Sequence, residues 1–318
     1  MPAYLRPMAR TTFAYALYQQ LPPEWRFRLK EILGAGGHGS NFLNAMKAKK
    51  DALGKRRLDR VIGNVIEIMH SGGIKSLRAK NVLDFGAGYI MADSLCFYLL
   101  GAEKVTAVDL NPIASDRYLA LAFAKTDWPI FTGLAFAAFP DAAADFDNRR
   151  AALKEAVKHG FPALSDLGIT YRAPVDYAAR NMGQGFDITF STSVLEHLSP
   201  TIAGKILTNL YADLNPGGVM AHAIHLDDHL NIEENPYGFL AADTDYDPAQ
   251  DFDQRGNRIR PEGWRKLCAQ IGLPAQLVNI TYRSDAPRPR NLLPEFAAAD
   301  PMDVFASWAT LVAEKPVS

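Results

Sequence analysis

The chain has 318 residues, 48% of them hydrophobic and 22% charged, and a formal net charge of -1. That composition can bury one large core with additions or two small ones, and so balanced a charge excludes a global field that would recruit nucleic acid or an acidic membrane. The two cysteines, Cys96 and Cys268, stand far apart without metal-ligand or redox spacing and read as reduced, buried thiols; with no signal-like apolar region in residues 1–10 and no apolar run of membrane-spanning length, a cytoplasmic location is expected.

In chain order, residues 1–78 read as a helical cap. The stretch 12–18 is apolar and aromatic, Pro22-Pro23 breaks it, and a helix over 24–33 ends at Gly34-Ala35-Gly36-Gly37. A second helix is expected over 41–52. Leu58, Val61, Ile62, Val65, Ile66 and Met69 recur at i, i+3, i+4, i+7 and i+8, the stripe of a helix with one apolar face. Lys47, Lys49, Lys50, Lys55, Arg56 and Arg57 form a basic cluster. It reads first as a solvated helix face and second as a seat for an anionic substrate, since no aromatic or glycine module for nucleic acid accompanies it.

A core over 79–318 follows. Strands are predicted at 82–85 and 105–109 with a helix over 92–100 between them. About 60 residues then separate Asp109 from the next strand, Ile169–Arg172; a structureless loop of that length is disfavoured. A crossover helix near Asp116–Lys125 accounts for part of it. The aromatic stretch from Trp128 to Pro140 and a helical pattern over about 145–159 read as an inserted helical element, about 126–168, expected near the C-terminal edge of the strands, where insertions shape pockets. A strand at 187–191, an amphipathic helix at 201–214 stopped by Asn215-Pro216-Gly217-Gly218, and an apolar strand at 219–224 come next. Residues 226–261 turn polar and irregular, as a lid loop does. A helix beginning at Arg260-Pro261 and strands at 276–283 and 303–314 complete the chain.

The run Asn81-Val82-Leu83-Asp84-Phe85-Gly86-Ala87-Gly88 joins a strand that contains an acid to a glycine turn, and Asp109 ends the next strand. An acid about 20 residues beyond such a turn suits a ribose. Dinucleotide folds want G-x-G-x-x-G, yet Met91 stands at the third glycine place, and Asp84 would repel a pyrophosphate. That carboxylate suits a ligand with an ammonium group, a ribose and no phosphate, which describes S-adenosylmethionine (SAM). An NAD(P) oxidoreductase and a non-catalytic scaffold are the weaker alternatives.

Asp84-Phe85-Gly86-Ala87-Gly88, Val108-Asp109, the segment from Phe186 to Ser191, and Leu214-Asn215-Pro216-Gly217-Gly218 occur in this order. Over about 79–225 the chain thus resembles the class I SAM-dependent methyltransferases. The resemblance implies an α/β fold: Rossmann-like, doubly wound, with a mostly parallel seven-stranded sheet carrying an antiparallel edge strand, here with a helical N-terminal extension and a helical insertion. It implies SAM as cofactor, held by Asp84, Gly86, Ala87, Gly88, Asp109 and Leu110. Asp176 would accept from the adenine amino group with Tyr177 against the ring, and Ser191 and Ser193 would close the site after the fourth strand.

The implied reaction is in-line methyl transfer to a small-molecule O or N nucleophile, a sugar-type or secondary-metabolite acceptor; the alternative moves or cyclises the 3-amino-3-carboxypropyl arm and releases 5′-methylthioadenosine. A hydroxyl acceptor needs a base, and histidine is the natural one near neutral pH. His225 is the first candidate, with Asp227 and Asp228 close behind to orient it, and His197 the second; His222, inside an apolar strand, reads as a core histidine. Tyr89, Tyr237 and Phe239 are candidate pocket walls, since aromatic faces attract sulfonium and ammonium groups. The spacing of these groups matches no recognised metal motif, so no metal is expected. The partner is a small molecule, with neither nucleic acid nor membrane, and the chain is expected to act as a monomer or homodimer.

Overall fold

The computed structural model describes residues 45, 47–54 and 56–317. The helix expected over 24–33, the aromatic stretch before it, Lys55, and the first residues of the 41–52 helix lie outside these; residues 47–53 are helical, as expected. Helix α1 (Leu58–Ser71) turns Leu58, Val61, Ile62, Val65, Ile68 and Met69 inward, and Asp59 in its first turn complements the helix dipole.

Seven strands form one sheet in the order β3-β2-β1-β4-β5-β7-β6. They are β1 (Asn81–Phe85), β2 (Lys104–Val108), β3 (Ile169–Arg172), β4 (Phe186–Thr192), β5 (Leu214–His225), β6 (Gln276–Tyr282) and β7 (Ala306–Glu314). β1 to β5 pair in parallel, and β7 runs antiparallel to both β5 and β6. The antiparallel strand therefore sits one place inside the edge, with β6 outermost.

Side chains alternate across a strand, and the two neighbours Val82 and Leu83 fall in different cores. Val82 joins a core with α1, α2 (Ala92–Leu99), α3 (Asp116–Lys125), α4 (Trp128–Ala138) and α5 (Phe146–His159). Leu83 joins one built with α7 (Pro200–Ala212) and α9 (Pro261–Gln270); between α5 and α7 lies only the short α6 (Phe161–Asp166). The helix after β1 and the helix after β4 thus cover opposite faces. Their strands are neighbours, so the loops leaving them part and open a crevice at the strand C-termini.

Three expectations change in the folded chain. The Asn215-Pro216-Gly217-Gly218 segment is not a turn ahead of β5 but a bulge inside it: Leu214 pairs with Phe186 and the ladder resumes at Val219 opposite Ile188. Gly217, at φ +74°, donates its N–H to the Lys315 carbonyl at 2.8 Å, which ties the bulge to the end of β7.

The insertion, second, packs mainly away from the strand C-terminal edge, which it reaches where Phe161 stacks on Tyr171 of β3 at 5.3 Å. α4 lies along α1, Phe139 packs on His70 at 5.2 Å, and Arg78 donates to the Asp141 carbonyl at 2.8 Å. Arg149 of α5 donates to the carbonyls of Tyr98 and Ala102 at 3.0 and 2.9 Å. Arg78 precedes β1 and Ala102 precedes β2, so these anchors lie at the opposite end of the sheet. The apolar residues of the insertion have a core to fill there, shared with α1.

Third, the loop over 226–261 is a packed structure. Tyr237, Phe239, Leu240 and Tyr246 form a small core with Val304 of α11 (Pro301–Val304) and with Phe305, and Leu292 before α10 (Pro294–Ala297) bridges Ala241. The loop also contains α8 (Phe252–Arg255). Arg255 there closes a two-toothed ion pair on Asp228, at 2.6 and 3.2 Å, with side-chain exposures of 7% and 3%.

Candidate functional site

The glycine turn leaves β1 at the crevice. Gly86 and Gly88 have φ of +76° and +72°, which favour glycine. Their surroundings differ. A Cβ on Gly86 would lie 2.5 Å from Val194 Cγ2, so this glycine lets the loop after β1 press on the loop after β4; a Cβ on Gly88 meets nothing within 4 Å. The N–H groups of Gly86 and Ala87 both donate to the Val108 carbonyl, at 2.8 and 3.2 Å, pinning the turn to β2. Met91 takes the left-handed conformation at φ +49° and caps α2 with its side chain fully buried.

Two acids flank this turn. Asp84 is buried, with Oδ2 accepting from Ser94 Oγ at 2.5 Å. Burial and the neighbouring Asp93 push its pKa up to about 8. Asp93 is itself paired with Arg56 at 2.5 Å, so part of the basic cluster is an internal ion-pair partner rather than a solvated face. Asp109 at the end of β2 accepts from the Gly88 N–H at 3.1 Å, and burial pushes its pKa up to about 7. Leu110 beside it is 61% exposed. Tyr89 is half-buried, with Lys47 Nζ 5.8 Å from its ring centre.

Asp176 is exposed and accepts from the Ala178 N–H at 2.8 Å, so its carboxylate shapes its own turn. Four residues expected at the ligand are structural. Tyr177 is fully buried and donates to Asp213 Oδ2 at 3.0 Å while its ring meets Phe85 edge-on. Ser191 is fully buried and engages His222 Nδ1 at 2.8 Å. Tyr237 engages the Phe305 carbonyl and Ser307 Oγ, both at 2.8 Å, and Phe239 packs on Tyr246, so these two wall the loop's own core instead of a pocket. In each case an aromatic or hydroxyl in a loop or strand found apolar company and an internal partner.

His222 sits between Ser191 and Thr189 with both ring nitrogens engaged, and burial pushes its pKa down to about 3, as a core histidine requires.

The ends of β4 and β5 bring three other histidines together. His197 and His225 each have a ring centre 4.8 Å from that of His229. His225 Nε2 lies 3.2 Å from Asp227 Oδ2, and its ring meets Trp308 of β7 at 5.6 Å. The carboxylate that orients His225 is therefore Asp227; Asp228 is taken by Arg255. Glu196 is buried, with Oε1 accepting from the His225 backbone N–H at 3.3 Å, and burial pushes its pKa up to about 8. Ser193, at φ +55°, donates its N–H to the Ala223 carbonyl and keeps its side chain near Glu196. Burial pushes the pKa of His197 down and that of His229 down to about 3.

Asn257 fixes the turn that carries Glu196 and His197. Its side-chain amide donates to the carbonyls of Leu195 and Leu198, at 3.0 and 2.8 Å, and its N–H to that of Glu196 at 2.8 Å. A cleft of about 280 Å³ opens beside His225 and Trp308, bounded by Asn64 and Glu67 of α1 and Thr281 of β6. The sequence left open which of Asp227 and Asp228 partners His225, and it singled out neither Glu196 as a buried acid nor His229. The pair His225 and His229 at i, i+4 was visible, but outside a helix no period predicts that they meet.

No family model and no curated protein matches the chain. Solved structures do resemble it. Phosphoethanolamine N-methyltransferase 2 of Haemonchus contortus, in complex with SAM, shares 15% identity over 80% of this chain and 52% of that one, at a TM-score of 0.46. The chain thus spans about half the length of that enzyme. Magnesium protoporphyrin IX methyltransferase of Synechocystis, with bound S-adenosylhomocysteine, shares 13% over 85% and 86%, at 0.41. An O-methyltransferase family protein of Burkholderia thailandensis shares 12% over 91% and 63%, at 0.45. The strand order and the antiparallel β7 are those of the Rossmann-like seven-stranded fold that the resemblance to class I SAM-dependent methyltransferases implies.

Proposed function

We propose that the chain is a SAM-dependent methyltransferase acting on a small-molecule O or N nucleophile. The observation that carries this reading is the open ground at Gly88, with Asp84 on one side and Asp109 on the other. The ribose hydroxyls would donate to Asp109 in place of the Gly88 N–H, and the exposed face of Leu110 would cover the adenine. Asp84, mostly protonated in the free chain, would ionise on binding and supply negative charge toward the ligand ammonium. A pyrophosphate would meet both carboxylates, which disfavours a dinucleotide.

Methyl transfer needs the acceptor aligned with the S–CH3 axis, and alignment alone supplies about 7–11 kcal/mol of effective concentration. The cleft beside His225 would seat the acceptor. With Nε2 engaged by Asp227, Nδ1 of His225 is the atom that takes an acceptor proton.

Calorimetry and product analysis test the reading. SAM should bind, Asp109→Ala should weaken it, and turnover with an acceptor should release S-adenosylhomocysteine. His225→Ala should lower turnover far more than SAM affinity. Absence of SAM binding, or release of 5′-methylthioadenosine in place of S-adenosylhomocysteine, would overturn it.

A further inference from the structure

The histidine cluster at the ends of β4 and β5 holds more unsatisfied polarity than proton transfer requires. Glu196 Oε2, His197 Nδ1 and His229 Nε2 are buried and have no hydrogen-bond partner. Glu196 is 1% exposed, and its other oxygen already accepts from the His225 N–H. An unpaired buried polar atom costs about 1–3 kcal/mol, and here three residues that each carry one are clustered, with His229 Nε2 3.9 Å from Glu196 Oε1. One ligand atom from each of these residues lies within 4.8 Å of the other two.

From this geometry we propose that Glu196, His197 and His229 bind one divalent transition-metal ion. Two imidazoles and a carboxylate suit Zn²⁺, Mn²⁺, Fe²⁺ or Co²⁺ better than Mg²⁺ or Ca²⁺, which prefer oxygen. Metal–ligand distances of about 2.0–2.2 Å place neighbouring ligand atoms about 3.3 Å apart. Side-chain rotations of about an ångström close the present spacing to that value.

The surroundings hold the ligands as a metal site requires. The His197 ring faces the Asp253 backbone, and Asn257 pins the turn carrying Glu196 and His197 through three hydrogen bonds. The rim of His229 is closed by His225, and its backbone N–H donates to the Arg255 carbonyl at 3.1 Å.

Three protein ligands leave coordination positions open, the arrangement of catalytic rather than structural metals. An acceptor oxygen bound there would lose its proton more readily. That step narrows the acceptor to an oxygen nucleophile and rests on the transferase reading above; metal binding itself does not.

The test is titration of the chelator-stripped full chain with Co²⁺ in the absence of SAM. Visible ligand-field bands should saturate at one equivalent, and the bound ion should raise the Tm. Glu196→Gln, His197→Gln and His229→Gln should each weaken Co²⁺ binding by at least roughly tenfold. His159→Gln, on the exposed face of α5, should leave it unchanged. Circular dichroism identifies any variant that fails to fold, and the other two then decide. No saturable uptake by the native chain overturns the proposal and assigns water to the three orphaned atoms; so does uptake equal in native chain and folded ligand variants. Failure of SAM binding in a chain that takes up Co²⁺ would count against the transferase alone.

Discussion

Proton release on SAM binding is the sharpest consequence of the two acids at the glycine turn. In the free chain the pKa values stand near 8 for Asp84 and near 7 for Asp109. At pH 7, then, Asp84 is about nine-tenths protonated and Asp109 about half. A ligand ammonium and ribose hydroxyls favour both ionised forms, so binding at pH 7 should release about 1.4 protons. Affinity should rise with pH from about 5.5 to about 7.5, by about tenfold per unit for each group still protonated. Calorimetry in phosphate and in Tris reads the count directly, because the observed heat changes with the ionisation heat of the buffer. Asp84→Asn should remove about nine-tenths of a proton and leave the Asp109 share. Heats independent of the buffer, together with an affinity flat over that range, would refute the assignment of these two carboxylates to the ligand.

Without ligand the sign reverses. A carboxyl whose folded pKa is raised stabilises the protein below its unfolded pKa and loses that contribution as pH rises to the folded value. The share of stability held by Asp84 and Asp109 should therefore fall between about pH 4 and about pH 8, so over that range the Tm of Asp84→Asn should lose less with rising pH than that of the native chain. Gly88→Ala should cost about 1–2 kcal/mol in backbone strain and weaken SAM binding, since its Cβ enters open ground. Gly86→Ala should destabilise further through Val194, and Val194→Ala should restore part of the loss in a urea melt. Arg255→Ala should cost about 3–5 kcal/mol by stranding Asp228, measured by chemical denaturation. Tyr177→Phe should cost about 1 kcal/mol and leave SAM affinity unchanged; a large loss of affinity would return Tyr177 to the ligand.

What was legible in the sequence follows from how local each signal is. The α1 stripe, the β1 glycine turn and Asp109 depend on periodicity and on backbone chemistry within a few residues. Even the strand limits of β1, β2 and β3 followed from apolar runs bounded by turns. The destinations of side chains that reach across the fold were hidden. Nothing near Tyr177 says that Asp213 waits for its hydroxyl, and nothing near Asp228 announces Arg255. Adjacent Asp227 and Asp228 look equivalent in sequence, but the chain leaves β5 so that one faces His225 and the other faces α8. The insertion misled for a related reason. Its aromatic residues signal a core, and only the folded chain shows that the core is shared with α1 at the far end of the sheet.

The small core around Tyr237 bears on how the candidate site exchanges its ligands. Tyr237, Phe239, Leu240 and Tyr246 share it with Val304 and Phe305, and Leu292 and Phe296 pack against it. These two stretches of chain should loosen together as one cooperative unit, with amide exchange from Phe239 and from Phe305 converging on a common opening free energy. Tyr237 also engages Ser307, which lines the cleft beside His225, so opening of this unit would release one wall of that cleft.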